Sequence, residues 1–227
     1  IGNAVAKELH KFGAHIIALD ISVESLLSLK RGIPQIEIYD VDLRDWTATK
    51  SIVTKFKNVD LLLNNAGYVN CAAVGEVTEE DFDNHFKLNV KAIVNITQEI
   101  AQSMIKGKKG GSIVNISSQA GIVALKDHLI YCATKGAVDQ LTRTFALELS
   151  PYNIRVNSVN PTVVKTEMGK RVWSANILKA SEMLAKIPLN RFAEVGNVVD
   201  TILFLLSDKT RMINGVRLPI DGGFTAC

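Results

Sequence analysis

The stretch "IGNAVAKELHKFGAHIIALD", residues 1–20, decides how the fold is predicted. Its apolar side chains at Val5, Leu9 and Phe12 recur at the spacing of one face of an α-helix. A glycine follows, and residues 15–20 then form an apolar run that ends in an acid, as a buried strand does. The stretch therefore predicts a helix and a strand that form the second half of a strand–helix–strand unit.

The same alternation of helical and strand-like segments continues along the chain. Strands are predicted at 36–42, 59–63, 112–117, 154–159 and 216–220, and helices at 22–29, 45–56, 79–104, 131–149 and 197–206. Apolar strands that alternate with helices are typical of a parallel sheet covered on both faces. We therefore predict an α/β fold, a doubly wound parallel sheet of the Rossmann type, in a single domain that spans residues 1–227.

The composition fits one globular domain and excludes several classes of protein. The chain has 227 residues, and 47% of them are hydrophobic, which is enough for a core of ordinary size. No segment approaches the roughly 18 consecutive apolar residues that a membrane span needs. The net charge is only +3, and the lysine cluster at 106–109 has no aromatic residues beside it. We predict a solvated loop there and no nucleic-acid interface.

The spacing of cysteines and histidines predicts no metal site. The three cysteines, Cys71, Cys132 and Cys227, are far apart, and the four histidines do not form an HExxH motif. Without paired cysteines the chain is expected in a reducing compartment, the cytoplasm.

The stretch "ISSQAGIVALKDHLIYCATKG", residues 116–136, carries the strongest chemical signal. Tyr131 and Lys135 are four residues apart at the start of a predicted helix, so their side chains share one face. A free phenol has a pKa near 10, and a nearby ammonium lowers that pKa. The pair is therefore predicted to pass a proton to or from a carbonyl or alcohol oxygen. The alternative is a surface tyrosine with an unrelated lysine on the same helix face.

Two further polar residues favour the chemical interpretation. Ser118 lies just past a predicted buried strand, thirteen residues before Tyr131, where its hydroxyl can donate to a polarised carbonyl. Asn89 lies inside a predicted helix, although asparagine is a poor residue for a helix interior. Asn89 alone would be an exposed helix residue; together with the others, it predicts a functional kink.

These residues belong to a set of motifs by which the chain resembles the short-chain dehydrogenase/reductases over essentially its whole length. The motifs are "NNAG" at 64–67, "LNV" at 88–90, "ISS" at 116–118, "YCATKGAVDQLTRTFALEL" at 131–149, "IRVNSVNP" at 154–161 and "IDGG" at 220–223. The resemblance implies a catalytic tetrad of Asn89, Ser118, Tyr131 and Lys135. It makes Tyr131 the general acid/base and Ser118 the group that orients the substrate carbonyl. It also implies that Lys135 lowers the pKa of Tyr131 and holds the nicotinamide ribose, and that Asn89 places a water that relays protons. The hydride comes from the cofactor.

Within the family, the chain is most similar to reductases of small ketoses and dicarbonyl compounds. The matching pieces include "HLIYCATKGA" at 128–137, "NPTVVKTEMG" at 160–169 and "IPLNRFAEV" at 187–195. This resemblance implies a substrate pocket lined by Gln119, Leu125, His128 and Trp173. By themselves, His128 would be an ordinary loop histidine and Trp173 a packed lid residue.

The predicted function is the NAD(P)-dependent reduction of a carbonyl in a small ketose or dicarbonyl. One alternative is a carbonyl or 3-oxoacyl reductase of the same fold. The other is a non-catalytic binding or structural protein. The expected partner is a small carbonyl or alcohol substrate, and the resemblance implies a homotetramer with the helices at 79–104 and 131–149 at one interface.

The end of the strand at 15–20 bears on the choice of cofactor. A carboxylate at the position of Asp20 accepts hydrogen bonds from the adenine ribose hydroxyls and repels a 2′-phosphate. The similar reductases use NADPH and, by resemblance, carry Ser-Arg where this chain has Asp20 and Ile21. NAD(H) is therefore favoured, NADP(H) stays possible, and an aspartate that only caps the next turn is the alternative. The remaining cofactor residues implied by the resemblance are Ile1, Gly2, Asp42, Leu43, Asn64, Ala66, Val164 and Thr166.

The start of the chain raises a separate expectation. In the resembled fold, a strand before residue 1 lies in the middle of the sheet, between the strands at 15–20 and 59–63. We expect a longer natural chain, with about 15–25 further residues that form an apolar strand and a glycine-rich phosphate turn.

Overall fold

The structure, a computed structural model, describes residues 1–173 and 177–226; Cys227 lies outside them. The predicted strands and helices occur in the predicted order, and two helices that the sequence did not predict, at 167–173 and 177–185, lie between the last two strands. The strands are β1 (Ile17–Asp20), β2 (Glu37–Asp40), β3 (Leu61–Asn64), β4 (Gly111–Ile116), β5 (Ile154–Pro161) and β6 (Arg217–Ile220). The helices are α1 (Gly2–Lys11), α2 (Val23–Gly32), α3 (Trp46–Val53), α4 (Glu79–Phe86), α5 (Ala92–Gly107), α6 (Leu129–Leu149), α7 (Glu167–Trp173), α8 (Ile177–Ala185) and α9 (Val195–Leu206).

The strand pairs are all parallel, which confirms the predicted α/β class. They form two ladders, β1–β2 and β3–β4–β5–β6, instead of one continuous sheet. Within the described ranges, no strand hydrogen-bonds to both β1 and β3. Each crossover between parallel strands places a helix on one face, so both ladders are covered by helices.

Side chains that alternate along the strands divide the core between two faces. On one face Val114 and Ile116 of β4 pack with α1 and α9. On the other, Ile113 of β4 and Ile17 of β1 pack with α3, α5 and α6. In the part of the chain that the structure describes, no helix is both long and apolar enough to cross a lipid bilayer.

The helix predicted at 79–104 is interrupted. A π-helical turn at Lys87–Lys91 separates α4 from α5. Asn89 is in the middle of this turn and is completely buried. A π-turn inserts an extra residue into the helix and is common at functional sites. The kink predicted at Asn89 is confirmed, and its form is a π-turn.

A buried amide network joins the elements beneath the carboxyl ends of β3 and β4. Asn64 Nδ2 donates to Asn115 Oδ1 at 2.8 Å and to Thr97 Oγ1 at 3.0 Å. Asn115 Nδ2 in turn donates to Thr142 Oγ1 of α6 at 2.9 Å. Buried polar groups are stable only when paired, so the network sets the relative positions of β3, β4, α5 and α6.

The turn before β4 yields a stability prediction. Gly110 has φ +78°, and a Cβ at this position would lie 2.4 Å from the carbonyl oxygen of Asn153. We expect Gly110→Ala to lower the free energy of unfolding by about 1–3 kcal/mol, because the backbone is strained and cannot recede. Gly107, the last residue of α5, has open space around it. Gly107→Ala should be neutral or stabilising by up to about 1 kcal/mol. Urea unfolding of both variants measures the contrast, and equal losses would contradict it.

Candidate active site

The ends of β4 and β5 meet the first turns of α6, and this junction brings the predicted catalytic residues together. Ser118 follows β4 and is 8% exposed. Its carbonyl oxygen accepts a hydrogen bond from Asn160 Nδ2 at 2.9 Å, and the Asn160 amide also donates to Asp139 of α6 at 3.0 Å. Ser117 Oγ donates to the carbonyl oxygen of Lys135 at 3.2 Å. The strand ends and α6 are therefore held in one arrangement.

Tyr131 and Ser118 lie side by side. The Ser118 side chain is close enough to lower the pKa of Tyr131, and Ser118 Oγ accepts from the Ala120 amide at 3.1 Å. The serine hydroxyl keeps its one proton, which it can donate to the Tyr131 oxygen or to a substrate oxygen. Burial raises the pKa of Tyr131 to about 12, and the Ser118 hydrogen bond opposes that rise. The phenol is therefore protonated at neutral pH.

Lys135 lies one turn further along α6 and is 3% exposed. Its Nζ donates to the carbonyl oxygen of Ile116 at 2.8 Å and lies 5.5 Å from the centroid of the Tyr131 ring. Burial lowers the pKa of Lys135 to about 8, and the charge of Asp139 opposes that fall. The ammonium is thus still charged at neutral pH and lies beside the phenol.

The pKa of Tyr131 is raised, whereas the sequence predicts that Lys135 lowers it. Burial of the phenol is the largest cause of the rise and outweighs the opposing effect of Ser118. Lys135 donates to the main chain of β4 rather than to the phenol oxygen. The lysine can still stabilise the phenolate when it forms, since the two groups are close and in a poorly solvated site.

Asn89 faces the same space as Lys135. Its Oδ1 accepts from the Tyr68 amide at 2.7 Å, and its Nδ2 donates to Tyr68 O at 2.9 Å and Thr134 Oγ1 at 3.1 Å. A Cβ at Gly67 would lie 3.7 Å from Asn89 Oδ1 and 3.8 Å from Lys135 Nζ. Gly67 therefore leaves room between these two polar groups, and all four predicted catalytic residues meet around the start of α6.

Three of the four predicted substrate residues lie around Tyr131. The His128 ring stacks on Trp173 with centroids 5.8 Å apart and lies 6.2 Å from the Tyr131 ring. Leu125 is half-buried, and its carbonyl oxygen accepts from the His128 amide at 3.2 Å.

Gln119, the fourth predicted substrate residue, follows Ser118 directly and is 2% exposed. Its Oε1 has no hydrogen-bond partner, and its Nε2 lies 3.8 Å from Met183 Sδ. A buried acceptor without a partner is unusual in a native protein and points to a missing donor. Gln119 therefore has an unused acceptor next to the predicted catalytic serine.

A cavity of about 400 Å³ opens beside these residues. It is lined by Tyr68, Val69, Asn70, Cys71, Val172 and Lys179. Two lining residues connect the cavity to the predicted substrate residues. Val172 precedes Trp173 in α7, and Cys71 Sγ lies 3.4 Å from His128 Nε2. The loop at 68–73 was missed by the sequence analysis. In the sequence, the one indication that this loop belongs to the site is its place directly after the "NNAG" motif at a strand end.

The residues predicted to hold the cofactor lie along the carboxyl ends of β1, β2 and β3 and at the start of α1. The Gly2 amide donates to Asn65 Oδ1 at 3.0 Å, so Ile1 and Gly2 adjoin the turn after β3 that contains Ala66. A Cβ at Gly2 would lie 2.9 Å from Asn65 Nδ2. A side chain at position 2 would displace the Asn65 amide from its hydrogen bond with the Gly2 amide.

Asp20 and Asp42 each accept hydrogen bonds from a residue two positions further along the chain. Asp20 is exposed, and its Oδ1 accepts from the Ser22 amide at 2.8 Å, which is the turn cap considered as the alternative. Asp42 Oδ2 accepts from Arg44 at 2.7 Å, and the guanidinium holds the pKa of that carboxyl below its usual range. Leu43, which lies between Asp42 and Arg44 in the sequence, is half-buried.

The Asn64 side chain differs from the prediction that it lines a ribose. Its amide is directed into the buried network with Asn115, so only its main chain remains for that role. Val164 and Thr166 lie after β5, where Thr166 Oγ1 accepts from the Gly169 amide at 3.1 Å and caps α7. Among the described residues, no three His, Cys, Asp or Glu side chains converge as a metal site would require.

Comparison with known proteins agrees with this geometry. A family model described as enoyl-(acyl carrier protein) reductase matches residues 1–225. L-xylulose reductase of Bos taurus is 48% identical over 226 residues, which cover 100% of this chain and 92% of the relative. The chain belongs to the short-chain dehydrogenase/reductase family. D-erythrulose reductase of Gallus gallus is 46% identical over 224 residues, 99% of this chain and 91% of the relative.

Solved short-chain dehydrogenase/reductases have the same fold. A gluconate 5-dehydrogenase from Burkholderia cenocepacia, in complex with NADP and tartrate, has a TM-score of 0.93 at 26% identity and covers 100% of this chain and 91% of its own. An NAD⁺-bound xylitol dehydrogenase has a TM-score of 0.90 at 31% identity and covers 98% of this chain and 94% of its own.

The buried lysine predicts a distinct pH dependence of stability. Lys135 has a folded pKa of about 8 against 10.5 for an ordinary lysine, so between these values the unfolded chain binds the extra proton. Stability that depends on Lys135 should therefore rise with pH from about 8, by up to about 1.4 kcal/mol per unit. We expect the free energy of unfolding of the wild type, relative to that of Lys135→Met, to increase between pH 8 and 10 and to stay constant from pH 6 to 7.5.

Urea unfolding at a series of pH values measures this difference. Lys106→Met, which removes an exposed lysine of α5, is the matched control and should follow the wild-type slope. A constant difference between wild type and Lys135→Met across pH 8–10 would contradict the prediction.

Proposed function

We propose that this protein is an NAD(P)-dependent oxidoreductase that reduces a carbonyl group in a small ketose or dicarbonyl compound. The observation that carries the proposal is the cluster of Tyr131, Ser118 and the buried Lys135 at the start of α6. The names of the relatives, L-xylulose reductase and D-erythrulose reductase, support the same substrate class.

In the proposed reaction Tyr131 is the general acid. Its pKa of about 12 keeps the proton on the phenol until a carbonyl oxygen gains negative charge. The Ser118 hydroxyl, which lies beside the phenol, turns its single proton to the same carbonyl oxygen and donates a hydrogen bond to it. As the phenolate forms, the ammonium of Lys135 stabilises it across a short, poorly solvated distance. The nicotinamide cofactor, when bound, supplies the hydride.

The pocket suits a small polar substrate. Gln119 Oε1 is a buried acceptor that a substrate hydroxyl could satisfy, and an unmet acceptor costs about 1–3 kcal/mol. The stacked rings of His128 and Trp173 form a wall beside Tyr131. These groups are suited to enclose a molecule of a few carbon atoms.

A second candidate is a carbonyl or 3-oxoacyl reductase. It is favoured by the description of the matching family model and by Carbonyl reductase [NADPH] 2 of Sus scrofa, which is 42% identical over 226 residues. A long acyl chain needs an open channel, whereas the stacked rings of His128 and Trp173 lie beside Tyr131. We therefore favour the small substrate, and a panel of L-xylulose, diacetyl and an acyl thioester discriminates between the candidates.

The acidic edge of β1–β2 supports NAD(H) as the cofactor. Asp20 and Asp40 are opposite each other in the ladder, and both are exposed at its carboxyl end. The nearby Arg44 is engaged by Asp42 through paired hydrogen bonds. A 2′-phosphate would meet two carboxylates and an already paired arginine. NADP(H) remains the alternative, because solved neighbours hold either cofactor.

Tyr131→Phe tests the assignment of the general acid. The variant keeps the ring and its packing but has no proton to give. We expect turnover to fall by roughly 10²-fold or more, the scale of general acid catalysis, with little change in NADH affinity. Initial rates with diacetyl and a fluorescence titration of NADH measure the two effects. A variant that keeps more than a tenth of wild-type turnover would refute the assignment.

The double substitution Asp20→Ser with Ile21→Arg tests the choice of cofactor. Removing the carboxylate and adding a cation should shift the ratio of kcat/KM for NADH to that for NADPH toward NADPH by at least tenfold, since it replaces repulsion with a charge-assisted contact. Asp40→Asn is the control and should shift the ratio less. A wild-type preference for NADPH would show the proposal of NAD(H) to be wrong.

A further inference from the structure

The loop at 68–73 is held in place by two buried side chains of the helix pair α4–α5. His85 is 1% exposed, and its Nε2 accepts from the Asn70 amide at 3.1 Å while its Nδ1 donates to Asp81 O at 2.7 Å. Asn89 binds both main-chain groups of Tyr68. The main chain on the N-terminal side of Cys71 is therefore fixed by these contacts.

The other side of Cys71 is tied to the segment that precedes α6. The Ala72 amide donates to Asp127 O at 2.9 Å, and Ala72 forms a parallel bridge with His128. Asp127 itself has φ +61° and makes an ion pair with Lys179 at 3.2 Å. Main-chain hydrogen bonds thus set the distance between Cys71 and His128.

Both ring nitrogens of His128 are occupied. Nδ1 lies 2.6 Å from the carbonyl oxygen of Lys126, which can only accept, so Nδ1 carries the proton. Nε2 is then the acceptor, and Cys71 Sγ at 3.4 Å donates its S–H to it. Burial lowers the pKa of His128, in agreement with a neutral ring. The polar edge of the imidazole is therefore satisfied within the protein, and its face is stacked on Trp173.

We propose that Cys71 is a specificity-determining residue that withdraws His128 Nε2 from the substrate, so that the pocket prefers small vicinal dicarbonyls to polyhydroxylated ketoses. This inference rests on the proposed function and assigns its substrate class. Cys71 lines the cavity and lies between that space and His128 Nε2. The Cys71 thiol and the stacked rings of His128 and Trp173 behind it accept hydrogen bonds poorly, whereas Tyr68 and Asn70 are polar residues elsewhere in the lining.

The buried hydroxyls of a bound ketose need hydrogen-bond acceptors. Gln119 Oε1, beside Ser118, is a buried acceptor without a partner, and Tyr68 and Asn70 line a part of the cavity away from the imidazole. When a ketose binds, its remaining hydroxyls lose their hydration water. Each hydroxyl that is left without a hydrogen-bond partner lowers the affinity. His128 Nε2 would be the next acceptor, but Cys71 occupies it. A dicarbonyl has no hydroxyl to satisfy and meets no such penalty.

A matched pair of substitutions tests this role. Cys71→Ala removes the donor and opens Nε2 to the cavity, whereas Cys71→Ser keeps a donor of similar size. We expect kcat/KM for L-xylulose relative to diacetyl to rise about three- to tenfold in the alanine variant, the gain of one hydrogen bond. The increase should come from a lower KM for L-xylulose. The serine variant should stay within about twofold of wild type, since its hydroxyl also satisfies Nε2.

The outcomes separate this inference from the proposed function. Wild type that reduces neither compound would defeat the proposed function. Wild type that reduces diacetyl, with an unchanged ratio in Cys71→Ala, would overturn the role of Cys71 alone. An equal rise in both variants would also overturn it, because side-chain size rather than the donor would then set the ratio.

A measurement independent of activity tests the hydrogen bond itself. Long-range ¹H–¹⁵N correlation spectra of the full chain should show His128 as the Nδ1–H tautomer. In Cys71→Ala, only the Nε2 resonance should move as its hydrogen bond is lost. A spectrum with the proton on Nε2, or one unchanged by Cys71→Ala, would refute the inference even if the variants were too unstable for kinetics.

Discussion

The side-chain amide of Asn160 is the contact on which the arrangement of the active site depends. It is completely buried at the end of β5, and its Nδ2 donates both to the Ser118 carbonyl oxygen and to the Asp139 carboxylate of α6. Its Oδ1 accepts from Ser158 Oγ at 3.0 Å, so the amide has no unused polar atom. Because Tyr131 and Lys135 are on the helix that Asp139 anchors, one amide relates the serine to the phenol and the ammonium.

This arrangement places two titratable groups where both charged forms are poorly solvated. Burial raises the pKa of Tyr131 and lowers that of Lys135, so each group alone favours its neutral form. Asp139 counters this effect for Lys135, since its charge, one turn further along α6, raises the lysine pKa. The charged form of each group is therefore destabilised by burial before a reaction. A phenolate that forms beside the ammonium is stabilised by the opposite charge, and it stabilises the ammonium in turn.

Much of the site was predictable because its residues are spaced by local geometry. Tyr131 and Lys135 share a helix face, Ser118 follows a strand, and an asparagine inside a helix indicated the break that proved to be a π-turn. The order and type of the strands followed from their apolar pattern. Their division into two ladders falls between β1 and β3, where the family resemblance places a further strand.

The contacts that could not be predicted join residues distant in the sequence. Cys71 and His128 are 57 residues apart, and nothing in either local pattern indicates the other. Asn64 matched a family motif, yet its amide turned inward because Asn115 and Thr97 lie beneath it. The net direction of the Tyr131 pKa shift could not be predicted either, because the sequence shows the neighbouring charge but not the depth of burial.

Asp20 shows how a residue can be both a structural cap and a candidate for cofactor selection. A carboxylate has two oxygens and about four acceptor positions, so the Ser22 amide leaves capacity for ribose hydroxyls. The amide is neutral and does not remove the negative charge. The Asp42 carboxylate differs, because Arg44 binds it and balances its charge. The net charge at the end of β1–β2 is therefore determined by Asp20 and its ladder neighbour Asp40, and a doubly charged phosphate placed there would be repelled by both.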